Sequence, residues 1–96
     1  MTKSELIDAF ALTADIPRQI ADSVVNVVFE QMTDTLLDEG RIEIRGFGSF
    51  KVKHYDGYLG RNPRTGEPID VPPKRLPVFK TSRLLGAQID AAARGA

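Results

Sequence analysis

The sequence predicts an α+β fold: two N-terminal helices, three short strands with a long excursion before the third, and a C-terminal helix. Three observations predict it. Apolar residues recur at helical spacing as far as Gly40, the period then drops to two, and a Gly- and Pro-punctuated stretch over 56–73 interrupts the alternation. Ninety-six residues suffice for a single domain, 1–96. It divides into a helical hairpin over 1–40, a sheet over 41–80 with an excursion inside it, and a C-terminal helix and tail over 81–96.

Thr2-Lys3-Ser4-Glu5 fits a capping box, with Thr2 as N-cap and Glu5 reaching back from the third helical position. Leu6, Ile7, Phe10 and Ala11 follow at helical spacing, and the pattern fades near Thr13–Asp15. Pro17 suits the opening of a second helix, where its missing N–H has no partner to lose. In that helix Ile20, Val24, Val27, Val28, Met32 and Leu36 form one apolar stripe, with Asp22, Glu30, Asp34 and Asp38 largely off it. Gly40 supplies the stop. Four valines in the interior cost helix propensity, so tertiary packing must hold this helix.

Arg41-Ile42-Glu43-Ile44-Arg45 alternates as a half-buried strand does. Gly46-Phe47-Gly48 turns the chain, and Ser49–Tyr55 alternates again, with Phe50 and Val52 on one face and Lys51 and Lys53 on the other. Residues 56–73 hold few apolar side chains, and a stretch so long that cannot bury itself is usually functional or disordered. Alternation returns at Leu76–Lys80. Thr81 or Ser82 caps a last helix bearing Leu84, Leu85, Ala87 and Ile89, with Gly86 as a weak point and Ala91–Ala96 expected to fray. Three short strands and modest helices make a thin core. Phe47, Phe50 and Phe79 are more aromatic surface than one such sheet covers, so they are expected to form the core of an obligate dimer.

Composition excludes several function classes. Without Cys there is no disulfide, thiolate metal site or Cys nucleophile, and His54 alone supports neither a multi-His metal site nor two-His chemistry. No enzyme, cofactor, metal or small-molecule substrate is expected. The first residues lack the apolar core of a signal peptide, and no apolar run approaches the roughly 18 residues of a membrane span. A soluble, cytoplasmic protein without a membrane partner is expected. Gly60 and Gly66 are spaced one residue too far for a phosphate loop, and Glu67 stands where Lys is needed. His54 reads as a solvated strand residue rather than a pH switch.

Thirteen basic and thirteen acidic residues leave no formal net charge, which at face value argues against a polyanion partner. Their distribution says otherwise. Residues 1–40 carry two basic against eight acidic residues, a balance of −6, and residues 41–96 carry eleven against five, a balance of +6. Such asymmetry points to nucleic acid or membrane, or to two halves that neutralise each other.

Ile44-Arg45-Gly46-Phe47-Gly48-Ser49-Phe50, followed by Gly60-Arg61-Asn62-Pro63-Arg64-Thr65-Gly66-Glu67, resembles the HU and integration host factor family of bacterial DNA-bending proteins. The resemblance covers nearly the whole chain, including Pro77-Val78-Phe79-Lys80. Arg41–Phe50 looks more like the beta subunit of integration host factor, while a self-dimerising HU-like protein is the simpler default.

The resemblance implies an intertwined dimer, a helical body below a saddle of three-stranded antiparallel sheet, and two long β-ribbon arms, one per chain at about 55–75, that enter the minor groove of double-stranded DNA. Pro63 would be the intercalating wedge at each tip. It is rigid, apolar and without an N–H, so it can insert without stranding a donor. Arg61 and Arg64 would meet the negative potential of a narrow groove, and Asn62 the acceptors on its floor. Lys51, Lys53, Lys74, Arg75, Lys80 and Arg83 would contact phosphates along the saddle and flanks, with Lys3 reaching DNA wrapped down the sides. Arg45, with Glu43 near the saddle, would be a further DNA-binding residue. The implied function is DNA bending in the bacterial nucleoid, by a homodimer or by a heterodimer with a paralogue.

Departures from the family pattern dilute the arm. Tyr55-Asp56-Gly57-Tyr58-Leu59 stands where basic residues are common, and Asp70 and Gly86 also lack positive charge. Fewer phosphate contacts predict weaker binding and a shallower salt dependence. Tyr55 and Tyr58 are open to two readings: packing against sugar and groove, or contact with a protein partner. The alternative function is accordingly a dimeric protein-interaction module with weak DNA binding.

Overall fold

The computed structural model describes residues 1–95. Its elements run α1 (Lys3–Ala14), α2 (Arg18–Leu37), β1 (Ile42–Ile44), β2 (Gly48–Tyr55), β3 (Tyr58–Arg61), β4 (Pro68–Val71), β5 (Lys74–Thr81) and α3 (Arg83–Ala93). The α+β order matches the sequence expectation. β1, β2 and β5 form an antiparallel sheet in the order β1-β2-β5, and β3 pairs with β4 in a separate two-stranded ribbon.

Local chemistry sets the helix ends. The Thr2 hydroxyl accepts from the Glu5 N–H, and the Glu5 carboxylate accepts from the Thr2 N–H, a complete capping box. Ser82, not Thr81, caps α3 by accepting from the Leu85 N–H. That helix runs to Ala93, so Ala91–Ala93 are helical rather than frayed, and Ala96 lies outside the described residues. Between α1 and α2, Arg18 donates from Nε to Asp8 at 2.6 Å and from Nη2 to Ser4 at 3.1 Å.

The stop after α2 differs in detail from expectation. Glu39, not Gly40, takes the left-handed conformation, with φ of 59°. The Glu39 N–H donates to Leu36 O and the Gly40 N–H to Thr35 O, the paired bonds that close a Schellman turn. Gly40 is needed for clearance instead: a Cβ there would stand 2.9 Å from the Thr35 methyl and 3.0 Å from its carbonyl oxygen.

The core within one chain is very small. Among the described residues only Ile7, Ala21 and Val25 are buried apolar side chains, with Leu6, Ala11 and Ile16 packed against them. The expected stripe on α2 is therefore not the face that the chain buries, which is the neighbouring one. Ala21 and Val25 face α1, whereas Ile20, Val24, Val27 and Val28 remain 40–55% exposed. The radius of gyration is 19.5 Å, against about 13 Å for a compact domain near this length. Phe79 stacks at an angle between Phe50 (4.9 Å between centroids) and Phe47 (5.4 Å), yet Phe47 and Phe79 are each 45% exposed.

The arm is not one continuous ladder. The β2–β5 pairing ends at Tyr55 opposite Lys74, and the β3–β4 pairing begins at Tyr58 opposite Val71. Asp56-Gly57 and Pro72-Pro73 face each other across the break. Two consecutive prolines offer no N–H to a neighbouring strand, so the ladder cannot run through them.

Candidate nucleic-acid interface

Antiparallel partners project to the same side of a sheet, so the β2–β5 register sorts the side chains into two faces. One face carries Phe50 with Phe79, Val52 with Pro77, and His54 with Arg75. This face turns toward α2, since Val52, Arg75 and Pro77 line a cleft with Thr33, Leu36 and Leu37. The other carries Ser49 with Lys80, Lys51 with Val78, Lys53 with Leu76, and Tyr55 with Lys74. Lys51, Lys53, Lys74 and Lys80 thus share one outward face, as phosphate ligands on a saddle would.

Arg75 is the exception among the sequence-predicted DNA ligands on these strands. It lies on the α2 side, and its Nη1 sits 3.1 Å from Glu39 Oε1. His54 Nε2 lies 2.6 Å from the same oxygen. His54 is thus more than a solvated strand residue: although its side chain is 62% exposed, it shares the Glu39 carboxylate with Arg75. Hydrogen bonding from Arg75 holds the Glu39 carboxyl below the ordinary carboxylate range, aided by the charges of His54 and Arg75 and opposed by partial desolvation. Glu39, at the end of α2, in this way ties the helical body to the root of the arm.

The remaining cations are distributed around the sheet and beyond it. Arg45, Glu43, Ser49 and Lys80 line a shallow cleft that also takes in Arg41 and Ser82, just ahead of α3 and Arg83. Glu43 is engaged by Arg41 at 3.0 Å. Lys3 stands apart from these groups in a groove between the start of α1 and α2, beside Asn26, Phe29 and Glu30.

At the tip of the arm the backbone closes on itself. The Asn62 N–H donates to Glu67 O at 2.8 Å, and the Gly66 N–H to Asn62 O at 2.7 Å. The Asn62 side-chain oxygen accepts from the Arg64 N–H at 2.9 Å, so its amide NH₂ is left to donate outward. Pro63 is exposed at this turn, flanked by Arg61 and Arg64. Among the described residues, no carboxylate lies within 4.0 Å of Arg61, Arg64, Arg45, Arg83 or any of the sheet-face lysines, whereas Arg18, Arg41, Arg75 and Arg94 are all paired.

Two features eluded sequence reasoning. The Glu39–His54–Arg75 cluster joins three segments far apart in the chain, and no local pattern announces it. Tyr55 lies on the lysine face, its ring centroid 5.3 Å from Lys53 Nζ and 5.8 Å from Lys74 Nζ. Its period-two phase with Lys51 and Lys53 was the available signal. Among the described residues no helix is long and apolar enough to cross a membrane.

Comparison with known proteins agrees with this arrangement. The family model described as "Bacterial DNA-binding protein" matches residues 1–90. The integration host factor beta subunit of Alkalilimnicola ehrlichii is 44% identical over 92 residues, covering 95% of this chain and 92% of that protein. DNA-binding protein HU-1 of Halalkalibacterium halodurans is 40% identical over 85 residues, covering 88% and 94%. Among solved structures, HU of Anabaena in a cocrystal with DNA superposes with a TM-score of 0.82 at 31% identity, covering 93% of this chain and 97% of that one. HU from Thermotoga maritima gives 0.66 at 25% identity, covering 93% and 98%. An α+β chain with a basic sheet face and a protruding ribbon, matched at this identity along nearly its whole length, belongs to the bacterial DNA-binding proteins of the HU and integration host factor type.

Proposed function

We propose that the protein is a homodimeric, non-enzymatic architectural factor of the bacterial nucleoid that bends double-stranded DNA through the minor groove. The observation that carries this reading is the tip of the arm. An exposed proline ends a narrow two-stranded ribbon, with two arginines that have no carboxylate partner among the described residues, and an outward-donating Asn62 amide, beside it. In minor-groove architectural proteins, of which HU and integration host factor are themselves standard examples, an apolar wedge unstacks a base step and the bent DNA regains the cost in wrapped contacts. Pro63 fits the wedge, Arg61 and Arg64 the groove potential, and the lysine face of the sheet the phosphates between the arms.

Dimerisation is supported by what one chain leaves uncovered. Val24, Val27 and Val28 on α2, and Phe47 and Phe79 beneath the sheet, need apolar cover that three buried side chains do not supply. A second copy is the simplest source, and a closely related chain would present the same surfaces.

The test is a fluorescence-transfer bending assay on end-labelled duplexes of about 30 bp, run over a salt series. Binding that weakens with salt and brings the duplex ends together is expected. Pro63→Ala should reduce the bend more than the affinity. Absent or salt-indifferent binding would overturn the function, and an unchanged bend in Pro63→Ala would remove the wedge role.

A further inference from the structure

Lys53 and Lys74 converge on one aromatic ring at the root of the arm. Both ammonium groups lie within 6 Å of the Tyr55 centroid, at 5.3 and 5.8 Å, inside the range where the ring quadrupole attracts a cation. The strands dictate this convergence. Lys53 precedes Tyr55 by two positions on the same face, and Lys74 is its direct cross-strand partner.

Both ammonium groups are held to one ring, and no carboxylate lies within 4.0 Å of either among the described residues. Asp56 is the nearest acid in sequence. It lines the cleft beside the ring with Tyr58, Pro72 and Leu76, but among the described residues it forms no ion pair with either lysine. The paired cations of this chain provide the contrast, since Arg75, one residue from Lys74, is neutralised by Glu39. An anion within reach of both Lys53 and Lys74 would gain both charges together.

We propose that Tyr55 is a positioning residue that assembles Lys53 and Lys74 into one anion site for a backbone phosphate of DNA at the arm root. This rests on the DNA-bending reading above. The ring, not its hydroxyl, does the positioning, and the site grips the backbone at the break where the ribbon leaves the sheet.

The test compares the full-length protein with Tyr55→Ala, Tyr55→Phe and the double variant Lys53→Ala/Lys74→Ala, by DNA affinity over a salt series. Tyr55→Ala should bind roughly fivefold more weakly at low salt, the scale of two surface ring–cation contacts, with a shallower salt slope. Tyr55→Phe should restore both values. Adding Tyr55→Ala to the double lysine variant should change nothing further.

A second readout does not depend on the variants folding. In the NMR spectrum of the unaltered protein, the ε-protons of Lys53 and Lys74 should both be shifted upfield by the Tyr55 ring. A short duplex added in solution should then move them together. Equal affinity and slope in Tyr55→Ala, an equally impaired Tyr55→Phe, or lysine protons without ring shifts would each overturn the site while the unaltered protein still binds DNA. Failure of the unaltered protein to bind at low salt would overturn this site together with the DNA-bending function.

Discussion

Lys74 and Arg75 are neighbours in sequence with equal charge, yet the structure assigns them opposite fates. Lys74 lies on the outward face opposite Tyr55, while Arg75 lies toward α2 and is bound to Glu39 at 3.1 Å. Replacing each by Ala removes one positive charge from either face of the same strand. A protein that neutralises phosphates loses affinity with salt at a logarithmic slope of about −0.9 per phosphate contacted. With Lys74 on a phosphate as proposed, Lys74→Ala removes one such contact from each protomer, so the slope for a dimer should become shallower by about 1.8. Between about 50 and 200 mM salt, this difference amounts to roughly a tenfold change in relative affinity. Arg75→Ala should leave the slope near its original value and instead lower the unfolding midpoint, because it deprives Glu39 of a hydrogen-bonded, permanently charged partner. Fluorescence anisotropy on one duplex at several salt concentrations measures the first quantity, and thermal denaturation the second. If Arg75→Ala flattens the slope as much as Lys74→Ala, the assignment of faces is wrong.

Two further outcomes follow from the same structure. Val28→Asp places a charge on the exposed apolar face of α2, which should abolish dimerisation; with so few buried side chains per chain, the product should be unfolded rather than a folded monomer. Light scattering and circular dichroism measure this, and a helical, monomeric variant would contradict it. The Glu39 carboxyl titrates lower in the folded state than in the unfolded one, so its contribution to stability is present above its unfolded value near pH 4.5 and fades as the pH falls through the lower folded value. The gap in midpoint between the unaltered protein and Glu39→Gln should be full at pH 6 to 7 and close under acid; a gap independent of pH would refute the pairing.

What the sequence made legible was local. Thr2 with Glu5 defines a cap by three-residue spacing, and the parity of Lys51 and Lys53 against Phe50 and Val52 separates two faces within one strand. The end of α2 was harder. A glycine after a helix suggests the left-handed position, but Gly40 is required by its approach to Thr35, and Glu39 bears the unusual backbone. The stripe on α2 was visible as apolar, but periodicity does not say which surface covers it. Only the packing of α1 shows that Ala21 and Val25 are covered within the chain while Val24, Val27 and Val28 are not. For Arg75 a signal did exist, since it shares its parity with Pro77 and Phe79 rather than with Lys74, Leu76 and Lys80. The Pro72-Pro73 interruption hid it by leaving open where β5 begins.

The narrowness that would let the ribbon enter a groove also creates a hazard. Each of β3 and β4 has a single neighbour, so each presents an outer row of unpaired backbone groups, the template on which another chain could add a strand and start an aggregate. The ribbon is built to refuse that addition. Each strand is only four residues long, Pro68 heads one of them, and Pro72-Pro73 closes the way toward β5. Arg61 and Asp70 put charge on the strands themselves. A protein with no formal net charge has little long-range repulsion to keep its copies apart. The prolines and charges of the arm therefore protect solubility locally, while leaving the ribbon thin enough for DNA.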